Sequence, residues 1–539
     1  MRLNGDGLSG ATQHLEQTNR FGDGSPFDPN TPDPKFSLLY HLTHLFGILR
    51  FDHFKTHAMT YDSRPPKARP QFKRKPYKPQ SAPQHIKTTS DGHEERMHLE
   101  DVRVYNLAGT TLAYQLAMAA HIVMAVKQGY SMQHALAVID MAEGARANVQ
   151  RLCFDAMRHW GTTQFWIDRA VSNPPGPWLQ ALMAVSLTQL AFEHESEFVL
   201  VDQAVEAATN MKPHAKGLVN AILRRFLRER EQWQADALTD EVATWNYPRW
   251  WINAVKQHYP DDWQRILTVG NSHPPMTLRV NASRGTATEY IDYIKEDALG
   301  AHTMPALSAD TVILDTPCNV MDLPAFADGG VSVQDAGAQL AADLLDVTDG
   351  MRVLDACAAP GGKTCHILER YDVEMTAIEK DGQRAARIED NLQRLDLQAN
   401  IIVTDANNAH QWWDREAFDR VLLDAPCSAS GIVRRHPDIR WLREANDLDG
   451  LARQQAQLLR TMWKTVAVGG RLLYCTCSIF PEEGEQVIEA FLSHTPNAQR
   501  IELPQMTPLT HGAGQLLPTA TETLNHDGFY YAALTKTSD

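Results

Sequence analysis

The segment Met351–Thr364, MRVLDACAAPGGKT, restricts the folds open to this chain more than any other stretch. Met351–Ala356 reads as a short apolar strand, Pro360-Gly361-Gly362 as a tight turn, and Thr364–Arg370 as the start of a helix. This order is the βα unit that opens a doubly wound sheet, in which a ligand sits outside the carboxyl end of the strand. A small-molecule site is therefore expected at this loop.

The loop also narrows the ligand. A phosphate-binding P-loop needs glycine where Cys357 stands ahead of Gly362-Lys363-Thr364, and there is no G-x-G-x-x-G for a pyrophosphate. Tandem glycines still allow close backbone approach to a ligand. Val373–Ile378 reads as the next strand and ends at Glu379, a carboxylate suited to a ribose diol. Asn400–Thr404 is a third strand and ends at Asp405. This pattern favours S-adenosylmethionine over a dinucleotide or ATP.

Two later strand ends carry further chemistry. Phe418–Leu423 stops at Asp424-Ala425-Pro426-Cys427-Ser428, and Gly470–Cys475 stops at Thr476-Cys477-Ser478. In a parallel sheet both open onto the edge that holds the glycine loop, so two thiols and a carboxylate converge there. The plainer reading of a strand-end cysteine is a small buried hydrophobe. That reading is kept for Cys357 and Cys365, and Cys475 is assigned to the core.

The segments DACAAPGGKT, LLDAPCSASG, RRHPDIRW and YCTCS, in that order, resemble the motifs of the Sun/Fmu-type RNA cytosine-5 methyltransferases. The likeness extends upstream to KGLVNAILRRF (216–226), PPMTLRVN (274–281) and VSVQDAGAQ (331–339), and is strongest for the bacterial 16S ribosomal RNA branch with a NusB-like domain. It implies an N-terminal all-α NusB-like bundle, a small α/β subdomain and a C-terminal Rossmann-like class I methyltransferase domain. The corresponding boundaries are 99–232 for the bundle, 233–330 for linker and subdomain, and 331–539 for the catalytic domain. Residues 1–98 read as a disordered extension whose stretch 64–80 is basic and rich in proline, a composition suited to RNA contact. An apolar run at 36–51 reads as an amphipathic helix.

The resemblance also implies site roles. Cys357, Ala358, Ala359, Pro360, Gly361, Gly362 and Lys363 would hold the methionine and adenosine portions of S-adenosylmethionine, Glu379 the ribose, and Asp405 the adenine, with Asp424 bordering the pocket. Lys363 could instead pair with Asp355. Cytosine C5 is a poor nucleophile until a thiolate adds at C6. In the RNA family the Thr-Cys thiol attacks, which points to Cys477. Cys427 would then release the adduct, and Asp424 would contact or protonate the base. DNA cytosine methyltransferases use the Pro-Cys thiol, which would reverse the two cysteines.

Composition bounds the partners. A net charge of −15 argues against indiscriminate nucleic-acid binding, so RNA contact must come from local patches. Arg224 and Arg225 on the last helix of the bundle, and a basic surface of Arg434, Arg435, Arg440 and Arg443, are the candidates. The seven cysteines lack zinc-type spacing, so no metal is expected, and their free thiols fit a reducing cytoplasm. No secretory signal or membrane anchor is evident. The expected partner is 16S ribosomal RNA, free or in an early assembly particle, bound by a monomer. A transfer RNA cytosine-5 methyltransferase and a non-catalytic ribosomal RNA assembly factor are the alternatives.

Overall fold

The structure is a computed structural model and describes residues 97–104, 106–193, 196–503, 510–511 and 514–539. The apolar run at 36–51 and the basic stretch 64–80, with its expected RNA contact, lie outside the described residues.

Seven described helices form the first domain: α1 Leu112–Lys127, α2 Met132–Val138, α3 Arg146–Arg158, α4 Trp160–Ala170, α5 Pro177–Phe192, α6 Glu197–Met211 and α7 Lys216–Ala237. α1 is apolar almost all round and is buried almost all round, which makes it the central helix of the bundle. The Thr111 hydroxyl caps it by accepting the Tyr114 amide at 3.2 Å. Pro177 opens α5 at a position where a missing N–H is harmless. On α7 the inward stripe is Val219, Ile222, Leu223, Phe226 and Trp233. Leu218 falls off that stripe and is exposed.

The tryptophan-dense linker folds as α8 Glu241–Trp245, α9 Arg249–His258 and α10 Trp263–Asn271. Its tryptophans pack against other aromatic rings. Trp251 is fully buried edge-on to Phe480 at 5.2 Å, and Trp245 meets Trp263 at 5.0 Å.

The small subdomain is a four-stranded antiparallel sheet of order β2-β3-β1-β4, from β1 Met276–Val280, β2 Ala301–Thr303, β3 Thr311–Leu314 and β4 Val331–Val333. Helix α11 Ala287–Ile294 covers it and starts in a capping box of Thr286 and Glu289. The sequence reading placed Val331 at the head of the catalytic domain, whereas β4 pairs with β1 in this smaller sheet.

The catalytic domain begins with α12 Ala336–Leu345 and continues as β5 Arg352–Ala356, α13 Gly362–Arg370, β6 Glu374–Glu379, α14 Gly382–Leu395 and β7 Asn400–Val403. After α15 Ala409–Trp412 come β8 Phe418–Asp424, α16 Ile439–Leu442, α17 Ala445–Trp463, β9 Val466–Thr476 and α18 Glu485–Ser493. The order β7-β6-β5-β8-β9 is parallel and reverses direction of travel at β5, which is the switch point of a doubly wound sheet. β10 Ala498–Ile501, β11 Thr510–His511 and β12 Gln515–Leu516 follow, then the hairpin β13 Thr519–Ala520 and β14 Asn525–His526, and finally β15 Phe529–Lys536. The terminal strand β15 joins antiparallel to β9.

Asp447 sits one turn inside α17, where its carboxylate accepts the Glu444 amide in a reciprocal capping box. The helix stops at Trp463, and Val466 already belongs to β9.

The segment 434–441 locks these domains together. Arg158 Nη2 donates to the Arg434 carbonyl at 2.8 Å, the Met132 amide to Asp438 at 2.9 Å, and Trp441 Nε1 to the Met157 carbonyl at 2.9 Å.

Candidate active site

The site lies along the carboxyl edge of β5, β6, β7, β8 and β9, where parallel pairing aligns the strand ends. At the end of β5, Asp355 is fully buried and accepts the Thr364 hydroxyl at 2.5 Å. Burial pushes its carboxyl up from 3.8 to about 7, although the Thr364 bond works the other way.

The loop that follows takes a positive φ at two residues. Cys357 has φ +64° and Gly361 has φ +94°. Gly361 is needed on two counts, because a Cβ there would also meet Ile388 at 3.1–3.2 Å. At Gly362 an added Cβ would find only Gln334 Nε2, at 3.7 Å. The loop is fixed from the next strand, since the Ala358 amide donates to the Ile378 carbonyl at 2.9 Å and the Ala359 amide to Glu379 at 3.3 Å. Arg384 donates to the Ala359 carbonyl at 3.0 Å. Cys365 is buried, as expected, and Cys357 is partly buried; desolvation raises both thiols to about 12.

Glu379, Asp405 and Asp424 stand at or just after the ends of β6, β7 and β8. Asp405 accepts the Asn407 amide at 2.9 Å, and that bond is the main reason its carboxyl lies below the usual range. Lys363 does not pair with Asp355. Its ammonium reaches Asp424 at 2.6 Å. Burial opposes its charge, but Asp424 beside it wins and holds the ammonium well above its ordinary value.

The register of β8 with β9 places Asp424 opposite Cys475. Cys475 is fully buried, as expected, and its thiol touches the other Asp424 oxygen at 3.4 Å. The loops leaving these two strands then run side by side, with the Gly431 amide donating to the Cys477 carbonyl at 2.9 Å. They bring Cys427 Sγ to 3.4 Å from Cys477 Sγ. Both thiols are partly exposed. The contact with Cys477, followed by burial, pushes the Cys427 thiol well up, so it carries its proton at neutral pH.

The basic surface expected from Arg434, Arg435, Arg440 and Arg443 does not form. Arg434 is 1% exposed and binds Asp527 and Asn525. Arg435 bonds Asp527 at 2.5 Å, Asp335 at 2.8 Å and the Pro275 carbonyl at 3.1 Å. Arg440 is fully buried, stacks 3.9 Å over Tyr247 and donates to the carbonyls of Gly270 and Asn246 and to Asn271. Arg443 donates to the Ser428 carbonyl at 3.2 Å. Buried guanidinium groups persist only with such partners, and these lie too far along the chain for local patterning to show them. Arg224 and Arg225 are exposed on α7, Arg224 beside Asn220 and Arg225 on Glu229.

Sequence reading passed over Glu483, a fully buried carboxylate behind the two cysteine loops. It stands in the Glu482-Glu483 pair, which reads locally as solvated charge. The one usable signal was its place a single turn after Cys477-Ser478.

Residues 342–535 match a family described as 16S rRNA methyltransferase RsmB/F, residues 247–321 the ferredoxin-like domain of RsmF/B-like methyltransferases, and residues 113–228 the NusB family. The chain is 45% identical over 361 residues to the ribosomal RNA small subunit methyltransferase B of Pseudomonas putida, covering 66% of this chain and 82% of that one. With the protein of the same name from Vibrio cholerae the identity is 40% over 437 residues, covering 79% and 98%. The solved structure of a protein named PH0851 superposes with a TM-score of 0.64 at 25% identity, covering 79% of this chain and 99% of that one. Among the described residues no helix is long and apolar enough to cross a membrane.

Proposed function

Since the chain belongs to the RsmB/F family of 16S rRNA methyltransferases, we propose that it transfers a methyl group from S-adenosylmethionine to carbon 5 of one cytosine in small-subunit ribosomal RNA, through a covalent cysteine adduct. The observation that carries this reading is the pair of thiols, Cys427 and Cys477, beside the Asp424–Lys363 pair at the ends of β8 and β9.

The residues present fit the cofactor. A loop that Gly361 turns under φ +94° lies beside carboxylates at three successive strand ends, a set suited to a zwitterion carrying a ribose and an adenine. Cys357, Ala358, Ala359, Pro360, Gly361, Gly362 and Lys363 would hold it, with Glu379 at the ribose, Asp405 at the adenine and Asp424 at the border. When bound, it supplies an electrophilic methyl group.

The chain's own residues perform the rest. Cys477 adds through sulfur to C6 of the base, which makes C5 nucleophilic; removing such a nucleophile is among the most damaging changes an enzyme can suffer. Asp424, oriented by Lys363, hydrogen-bonds the base near N3 as charge develops there. After C5 is methylated, the C6–S bond breaks, the C5–C6 double bond re-forms and the C5 proton passes to Cys427 as Cys427 gives its own proton to the departing sulfur. Cys427, which retains its proton, offers it to the departing Cys477 sulfur. The target nucleotide must leave its stack to reach these groups, at a cost of roughly a few kcal/mol. The exposed Arg224 and Arg225 on α7 would help offset it by binding flanking phosphates.

The reaction calls for no metal, and the reading places a monomer in the cytoplasm, acting on free RNA or an early assembly particle. Its test is labelled methyl transfer to unmodified small-subunit ribosomal RNA, with transfer RNA and DNA in parallel and the labelled base mapped. A single 5-methylcytosine in the ribosomal RNA is expected. Label in transfer RNA alone would overturn the substrate, and cofactor binding without any label would overturn the enzyme in favour of an assembly factor.

A further inference from the structure

Behind the two cysteine loops lies a buried carboxylate that the mechanism above does not use. Glu483 follows β9 in the single turn Pro481–Glu483 and is fully buried. One oxygen accepts the Ser428 amide at 2.7 Å and Gln455 Nε2 at 3.2 Å. The other accepts the Ser428 hydroxyl at 2.5 Å and the Ser478 hydroxyl at 2.6 Å. Ser428 adjoins Cys427 and Ser478 adjoins Cys477. Ser430 closes the ring, its hydroxyl 2.9 Å from that of Ser478 and accepting the Ile479 amide at 2.9 Å. Among the described residues no lysine, arginine or histidine is paired with Glu483, so its charge is met by these donors alone.

A buried carboxylate that takes four hydrogen bonds and no ion pair is expensive unless the donors are held in place. Here three of the four donated bonds come from Ser428 and Ser478, on two loops whose parent strands place no backbone bond between Cys427 and Cys477 themselves, and the fourth from Gln455 on α17. The nearest links are those of Ala425 to Cys475 and Gly431 to Cys477. The carboxylate therefore bridges the two residues that adjoin the thiols, Ser428 and Ser478, whose own hydroxyls lie 3.4 Å apart.

We propose that Glu483 is a positioning residue that clamps Ser428 to Ser478 and thereby sets the distance between the Cys427 and Cys477 sulfurs. The proposal rests on the adduct-and-release reading given above. Attack on the base needs Cys477 alone, whereas release needs Cys427 within reach of it. Loosening the clamp should hence slow release more than attack.

Glutamine at position 483 presents an NH₂ group to donors that both oxygens now accept, so Glu483→Gln opens the clamp with little change in volume. The full-length protein is incubated with S-adenosylmethionine and small-subunit ribosomal RNA, and the RNA adduct that survives denaturing electrophoresis is compared with multiple-turnover methylation. Glu483→Gln should retain adduct as Cys427→Ala does, while turnover falls on the order of 10²-fold. Ser478→Ala, a milder loosening should the first variant fold poorly, should retain a smaller share. A second readout is independent of RNA. Diamide takes two electrons and two protons from Cys427 and Cys477 as their disulfide forms, and mass mapping of that crosslink should show it slowed at least tenfold in either variant.

If Cys427→Ala retains adduct and neither variant does, or if the crosslink forms at the wild-type rate, the positioning role is wrong and the mechanism stands. If Cys427→Ala itself retains none while the crosslink is slowed, the release reading falls and the clamp stands.

Discussion

The sulfur atoms of Cys427 and Cys477 lie 3.4 Å apart, although 50 residues separate them in sequence. Neighbouring parallel strands create the proximity, because Asp424 and Cys475 are register partners and each thiol comes two or three residues beyond its partner. Two thiols in contact can share one reaction, with one attacking while the other keeps its proton.

Opposite phenotypes follow for the two cysteines. Cys477→Ala should lose methyl transfer by on the order of 10⁴-fold or more, and with it any covalent RNA complex. Cys427→Ala should accumulate a complex that survives denaturing electrophoresis. Adduct in the first variant and none in the second would reverse the assignment.

Asp355 should make stability depend on pH. Its carboxyl is raised to about 7 in the folded protein, so between about pH 4 and 7 the folded state holds a proton that the unfolded chain has lost. Stability from this group is complete below pH 4 and declines as pH rises to 7, by at most about 4 kcal/mol. Asp355→Asn can still accept from Thr364 and should flatten that part of the profile. Urea unfolding at pH 5 and pH 8 measures the difference; an unchanged slope would show that another group is responsible.

The tandem glycines should separate into a fold requirement and a ligand requirement. Gly361→Ala forces φ +94° on a residue with a side chain and presses it against Ile388, costing roughly 1–3 kcal/mol. Gly362→Ala has room and should leave the melting temperature within about a degree or two, in keeping with a change of under 0.5 kcal/mol. Calorimetric titration with S-adenosylmethionine then tells whether the second glycine faces the cofactor: weaker binding at unchanged stability means that it does.

The arginines should divide by burial. Arg440→Ala strands the buried carbonyls it serves and should destabilise the protein by about 1–3 kcal/mol for each one left unpaired. The double change Arg224→Ala and Arg225→Ala should leave stability nearly unchanged. It should weaken ribosomal RNA binding and reduce the slope of log affinity against log salt by about 1–2. An unaltered salt slope would remove α7 from the RNA contact.

What the sequence determined by itself is what local pattern can encode. Apolar runs ending at Ala356 or stopping at Glu379, Asp405, Asp424 and Thr476 predicted strand ends, and a parallel sheet necessarily gathers such ends on one edge. Residue type marked which strand ends could carry chemistry. Tertiary structure alone decided what each charged group does. Lys363 turned to Asp424, 61 residues away, instead of to Asp355; Arg434 found Asp527, 93 residues away; and Glu483 became a buried link between two loops instead of a surface acid. The physical reason is that periodicity reports which face a residue occupies, whereas the state of a charge depends on partners that only the folded chain brings within hydrogen-bonding distance.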